Sequence, residues 1–150
     1  MLNRKIRLAS LIAVLVLGVV GSASAQQVRL SARKNKTING IEAELRGDYR
    51  AKANGSPIRL KSELDKINIP VGTPVAFCML QSGVKTLIGV GKVAMVAGVP
   101  VAEVELTAND GDVVPTVIAG DVLQARQRKV APFKTNPTCG TGLLIAAAFQ

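Results

Sequence analysis

The sequence predicts an all-β protein: a single antiparallel β-sandwich of about seven or eight strands, following an N-terminal export signal. Three observations carry that expectation. Residues Ile41 to Lys52 alternate strictly between apolar or small and charged side chains, the period of a strand with one wet face. Turn pairs rich in Gly, Asn and Pro recur about every ten residues, as in a sandwich or barrel. Outside the first 25 residues, no stretch sustains the 3.6-residue period of an amphipathic helix.

The first segment is read as a signal peptide over residues 1–25. Arg4, Lys5 and Arg7 form a positive start, and Leu8 to Val20 is apolar except for Ser10. Ala23 and Ala25 then place small residues where a signal peptidase cuts before Gln26. The apolar stretch is shorter than the ~20 residues of a spanning helix, which favours cleavage over an uncleaved anchor. Residues 26–150 are then one domain with no transmembrane segment. Sixteen of the 19 Lys and Arg residues remain after cleavage against ten acids, a net charge of +6.

The strands follow in order. Val28, Leu30 and Ala32 alternate with Arg29, Ser31 and Arg33, and Asn39-Gly40 supplies a turn. In the next strand Ile41, Ala43, Leu45, Gly47, Tyr49 and Ala51 face inward. Glu42, Glu44, Arg46, Asp48, Arg50 and Lys52 face water. Asn54-Gly55 tolerates positive φ and suits a hairpin, whose second arm buries Ile58, Leu60 and Leu64 and exposes Arg59, Lys61 and Glu63. Pro70 to Pro74 is a turn that launches Val75 to Leu80. Lys85 to Met95 contains Gly89 and Gly91, the mark of a bulge or a close crossing of sheets. Val101 to Leu106 points Ala102, Val104 and Leu106 inward and Glu103 and Glu105 outward. Val122 to Gln127 and Leu143 to Phe149 complete the set; the alanines of 142–148 also permit a short helix, but length and position favour a closing strand.

Cys78 and Cys139 are the only cysteines, 61 residues apart. An even pair in an exported chain implies a structural disulfide, which pins the last connection onto a central strand. No Cys-x-x-Cys and no histidine is present to make either thiol reactive.

Asn39-Gly40, Gly47-Asp48-Tyr49-Arg50, Ile69 to Val75, Gly111 to Pro115 and Ala119-Gly120-Asp121 form a series of turn and strand signals. In that order the chain resembles small secreted bacterial proteins of unassigned function with an immunoglobulin-like β-sandwich. The resemblance spans most of Val28 to Phe149 and implies export and a sandwich. It transfers no catalytic residue.

The absence of histidine excludes His-based acid–base catalysis, Ser-His and Cys-His nucleophile pairs, and His ligation of metals. Arg46-Gly47-Asp48 matches an adhesion tripeptide, but it falls within the most regular strand, so chance explains it. Asn109-Asp110-Gly111-Asp112, joined by Asp121, gathers oxygen ligands suited to calcium. No Glu stands at the twelfth position of an EF-hand loop, and Asx and Gly are ordinary turn residues. Asp110, Asp112 and Asp121 are thus weak metal candidates, and no cofactor is expected. Glu103 and Glu105 lie about 7 Å apart on one strand face, within glycosidase range but without the aromatic cleft that a sugar requires. Asn35-Lys36-Thr37 fits a glycosylation sequon, whereas Pro137 excludes Asn136-Pro137-Thr138.

Two basic clusters stand out: Arg33, Lys34 and Lys36, and Arg126, Arg128, Lys129 and Lys134. Solvated charge explains them well; long-range attraction of nucleic acid, anionic lipid or acidic polysaccharide is the alternative. Tyr49, Phe77, Phe133 and Phe149 are too few to stack bases, so no sequence-specific nucleic acid is expected as a partner. They are also too few for the aromatic girdles of an outer-membrane barrel, the competing architecture. The functional expectation is a non-enzymatic binding or structural module, periplasmic or extracellular, whose partner is a protein or an anionic envelope polymer. Its rival is a secreted hydrolase using Glu103, Glu105, Asp110 or Asp112, with or without calcium.

Overall fold

A computed structural model describes residues 26–127, 138–140 and 142–150; the expected signal peptide, 1–25, lies outside them. The described residues form nine strands: β1 (Val28–Ile38), β2 (Ile41–Ala51), β3 (Pro57–Asp65), β4 (Pro74–Gln81), β5 (Val84–Lys92), β6 (Ala94–Val96), β7 (Val99–Thr107), β8 (Val122–Gln127) and β9 (Gly142–Ala148). The one helical element among them is a single 3₁₀ turn, Ala108–Asp110. The alanines of β9 therefore serve a strand, as length and position suggested.

The strands build two antiparallel sheets, ordered β1-β2-β3-β7-β6 and β5-β4-β8-β9. Two tight turns set the first sheet. Asn39 and Gly40 take φ of 49° and 81°, the left-handed pair that a two-residue hairpin demands, and they fix β1 on β2 in register from Val28–Ala51 to Ile38–Ile41. The 52–56 turn, closed by Gly55 N–H to Lys52 O at 2.9 Å, then lays β3 on β2.

Both sheets contribute to one buried cluster. Leu45 and Tyr49 (β2), Leu60 and Leu64 (β3), Phe77 and Met79 (β4), Leu123 (β8) and Ile145 (β9) all belong to it. The inward residues of β2 are those expected, except that Ile41 is exposed where the strand leaves its turn. At one seam the sheets meet edge to edge: Ser31 and Gln150 exchange both backbone hydrogen bonds, at 3.0 and 2.9 Å, and Ala32 bridges Phe149. Gly47 is a close-packing glycine, because a Cβ there would stand 2.8 Å from Phe149 Cζ.

At the other side β5 crosses β7. The expected single strand Lys85 to Met95 is two strands, divided at Val93, which is buried. Both devices suggested by its glycines are present. Ile88 is the extra residue of a bulge between the Phe77–Gly89 and Cys78–Leu87 pairs. A Cβ on Gly91 would overlap the Glu103 backbone, and one on Gly89 would stand 2.7 Å from Val104 Cγ1.

Cys78 and Cys139 form the disulfide, with Cα atoms 5.9 Å apart. Cys78 sits on β4, an interior strand of the four-stranded sheet, so the bond fastens residues 138–140 to that sheet as expected.

Candidate functional site

The outer face of the five-stranded sheet gathers most of the chain's chemistry. Period two sends Glu42, Glu44, Arg46, Asp48 and Arg50 of β2 to this face, and the register lines up their neighbours on β1, β3 and β7. One row reads Arg33, Arg46, Glu63, Glu103; the next reads Ser31, Asp48, Lys61, Glu105. Seven of the ten acids of the chain lie here, which leaves only Asp110, Asp112 and Asp121 for chemistry elsewhere.

The charges interlock. Arg46 Nη2 reaches Glu44 Oε2 at 2.7 Å and Asp65 Oδ2 at 3.0 Å, and Arg33 Nε bridges the other oxygen of Glu44. Lys61 Nζ contacts Glu63 at 2.8 Å and Glu103 at 3.1 Å, while Arg59 Nε donates to Glu105 Oε1 at 2.6 Å. Glu44, expected on the wet face, is only 4% exposed; two arginines cover it. The hydrogen bond from Arg46 holds the Glu44 carboxyl below its ordinary range, and that from Arg59 does the same for Glu105. Asp65 moves the other way, pushed up by burial against the partial relief of Arg46. Glu44 and Asp65 face each other across β2 and β3, and Arg46 links these two like charges, whose juxtaposition otherwise destabilises a sheet.

A shallow depression of about 300 Å³ lies on this face. Arg33, Arg46, Asp48, Lys61 and Glu63 line it, with the short Ser31 leaving the space open. A second hollow, about 270 Å³, is bordered by Met79, Thr86, Ile88, Leu106, Val113 and Pro115, between the ends of β4, β5 and β7. It is chiefly apolar and holds no carboxylate.

Of the acids suggested by the sequence, all but Asp110 are engaged. Glu103 and Glu105 share a face but are bound to Lys61 and Arg59. Asp112 Oδ2 accepts the Thr107 N–H at 2.9 Å, closing the loop after β7. Asp121 Oδ2 accepts the Ile118 N–H at 2.9 Å and a Gln81 Nε2 hydrogen at 2.6 Å. Asp110 ends the 3₁₀ turn and is exposed. The structure does not bring the three aspartates together, and among the described residues no group of three Asp, Glu or Cys side chains is placed to hold a metal ion.

The second basic cluster needs correction at Arg126. It is 8% exposed, pairing across β8 and β4 with Ala76 and donating to Gly140 O at 3.1 Å and Gln124 Oε1 at 2.9 Å. The disulfide-tethered 138–140 segment thus uses Arg126 as a structural donor, not a surface cation. Arg128, Lys129 and Lys134 lie outside the described residues. Arg33, Lys34 and Lys36 are exposed along β1; Arg33 is committed to Glu44, and Lys36 Nζ donates to Leu144 O at 2.8 Å. Arg46-Gly47-Asp48 lies within β2 as expected. Asn35 is exposed on β1, its Nδ2 donating to Glu42 Oε1 at 3.0 Å.

Sequence reasoning missed one feature. Arg29, Arg50 and Arg59 stand side by side on β1, β2 and β3. Half of the signal was available: Arg29 and Arg50 are each ten residues from the Asn39-Gly40 turn, whereas a bulge at Ile58 sets Arg59 opposite Arg50.

No protein family, curated protein or solved structure matches the chain. No helix among the described residues is long and apolar enough to cross a membrane.

Proposed function

We propose that the chain is an exported, non-enzymatic binding or structural module of the cell envelope or extracellular space, built as a β-sandwich. The observation that carries this reading is the ion-pair lattice on the five-stranded sheet. Hydrolysis by paired carboxylates requires one acid free to protonate and one free to attack or to activate water. Glu103 and Glu105 are instead tied to Lys61 and Arg59 on an open sheet face. Such a face is suited to meeting a partner, and loops and edges carried on a rigid double-layered scaffold are the usual recognition elements. The Cys78–Cys139 disulfide supports export, since such bonds persist in oxidising compartments.

We read the two sheets as the layers of a sandwich because both feed one core. The order β1-β2-β3-β7 differs from the immunoglobulin order, in which the fifth strand lies beside the second. The immunoglobulin-like label therefore describes layers rather than connectivity.

Fractionation of expressing cells tests export, and capture from envelope extract tests binding. The expected results are an N-terminus at Gln26, an oxidised cysteine pair, and capture of an envelope protein or anionic polymer. Contacts made through surface charge weaken as salt shortens the Debye length from ~10 Å to ~3 Å. Cytoplasmic retention with two free thiols overturns export. A glycan hydrolysis activity that disappears in Glu103→Gln or Glu105→Gln overturns the non-enzymatic reading.

A further inference from the structure

We propose that Arg29, Arg50 and Arg59 form a binding row for a polyanion bearing tetrahedral oxyanions, the phosphate or sulfate esters of an envelope or extracellular polymer. The proposal rests on the binding-module reading and names the partner chemistry and the place.

The three arginines are consecutive cross-strand neighbours: Arg29 opposes Arg50, and Arg50 opposes Arg59. Adjacent strands lie about 4.8 Å apart, so the row sets three guanidinium groups across roughly 10 Å of sheet. Like charges placed directly opposite one another cost stability. Elsewhere on this face that cost is offset by shared counter-charges, as where Arg46 spans Glu44 and Asp65. Here compensation is incomplete. Asp48 holds Arg50 and Glu105 holds Arg59, each through Nε, at 3.1 and 2.6 Å. Arg29 is exposed and makes no ion pair among the described residues. Lys52, also exposed, follows at the end of β2.

The way the carboxylates bind is informative. An arginine carries five N–H donors in a rigid fork. Fixing Nε to a neighbouring carboxylate orients the plane and leaves the Nη groups of Arg50 and Arg59 without a protein acceptor among the described residues. Paired donors of that kind match two oxygens of a phosphate or sulfate. The charge on the face also has a direction. At the Arg29 end the row carries three arginines and the neutral Thr107 of β7, whereas the far end carries Glu42, Glu44 and Asp65. A chain of anions thus lies across the strands at one end and is repelled from the other. Arg29 is exposed, so one small anion held there stays open to screening. Several anionic groups on one chain gain from multivalency and from release of their counterions.

The test uses the oxidised chain and two fluorescent probes, long-chain polyphosphate and heparin, with anisotropy recorded at several salt concentrations. Wild type is expected to bind at least one probe, with affinity falling as salt rises. Arg29→Ala removes no ion pair or side-chain hydrogen bond among the described residues; it and Arg59→Ala are each expected to weaken binding by about fivefold, the upper end for one exposed ion pair. Each should also reduce the salt slope by about one. Arg29→Lys keeps the charge without the fork and should fall short of wild type. Lys34→Ala with Lys36→Ala should leave binding unchanged. Tighter binding of polyphosphate assigns a phosphate polymer, and tighter binding of heparin a sulfated polysaccharide. The proposal is overturned if Arg29→Ala and Arg59→Ala bind like wild type, if the lysine variant loses as much, or if neither probe binds. Envelope capture that survives in Arg29→Ala/Arg59→Ala without polyanion binding overturns this site alone. Loss of every captured component in wild type overturns the module reading as well.

Discussion

Replacing Gly47 by Ala probes the contact that joins the two sheets. Gly47 is on β2 of the five-stranded sheet, and its inner side faces Phe149 at the C-terminal end of the four-stranded sheet. A methyl group would stand 2.8 Å from Phe149 Cζ and 3.0 Å from Leu123 Cδ2, distances that force one neighbour to shift. Overpacking of this kind costs roughly 1–3 kcal/mol. Glycine within a strand is itself about 0.5–1 kcal/mol worse than alanine, so the net loss expected is about 1–2 kcal/mol. Phe149 is 1% exposed; Phe149→Leu opens space at the same point and should cost less than the roughly 3–5 kcal/mol of a Phe→Ala change. In the double variant the methyl occupies the vacated space, so the combined loss should undercut the sum of the two single losses by about 1 kcal/mol, within the range for touching residues. Urea unfolding of the oxidised protein, followed by far-ultraviolet circular dichroism, measures all four corners of this cycle. Losses that add within ~0.3–0.5 kcal/mol, or a Gly47→Ala protein as stable as wild type, refute the packing argument.

Two further predictions concern the staple and the charged face. Reducing the Cys78–Cys139 bond, or replacing both residues by Ala, should lower unfolding stability by about 4 kcal/mol in the chain-entropy account of a 61-residue loop; non-reducing mass spectrometry checks that the starting protein is oxidised, and an unchanged midpoint counts against a stabilising role. Glu44 and Glu105 have carboxyls held below their ordinary value of 4.5 by Arg46 and Arg59; their contribution is present above that value and is lost as pH falls through the lowered ones. Asp65, raised above 3.8 by burial, has the opposite sign: folding takes up a proton between its unfolded and folded values, so its share of stability falls as pH rises through that window. Urea midpoints from pH 3 to 7 should therefore rise overall, and more steeply at the acid end in Asp65→Asn than in wild type; an identical profile rejects the burial of Asp65 as the cause.

Much local structure was legible in local sequence. The alternation from Ile41 to Lys52, the left-handed Asn39-Gly40 turn and the glycines of β5 each specify a conformation within a few residues, and each was found where expected; the left-handed Ser82-Gly83 turn, equally local, was missed. Burial of charge was not legible in the same way. Glu44 reads as one more member of a wet face, yet its environment comes from Arg33 and Arg46 together with the opposing Asp65. Period two assigns a face but says nothing about what covers it.

Non-local pairing limits the site even more. Glu103 and Glu105 resemble a catalytic pair when only their own strand is considered. Their meaning changes because β7 lies beside β3, which puts Lys61 and Arg59 against them from more than forty residues away. No hairpin rule supplies that neighbour, since β3 and β7 are separated by three strands of chain. The arginine row is the instructive contrast. It also joins three strands, but through two successive hairpins: reflection about Asn39-Gly40 aligns Arg29 with Arg50, and a one-residue bulge at Ile58, beside the Ala51–Pro57 pair, sets Arg59 opposite Arg50. A surface built by consecutive hairpins is thus readable from turn positions to within a bulge. A surface completed by a returning strand is not, and on this sheet the boundary between the two falls between β3 and β7.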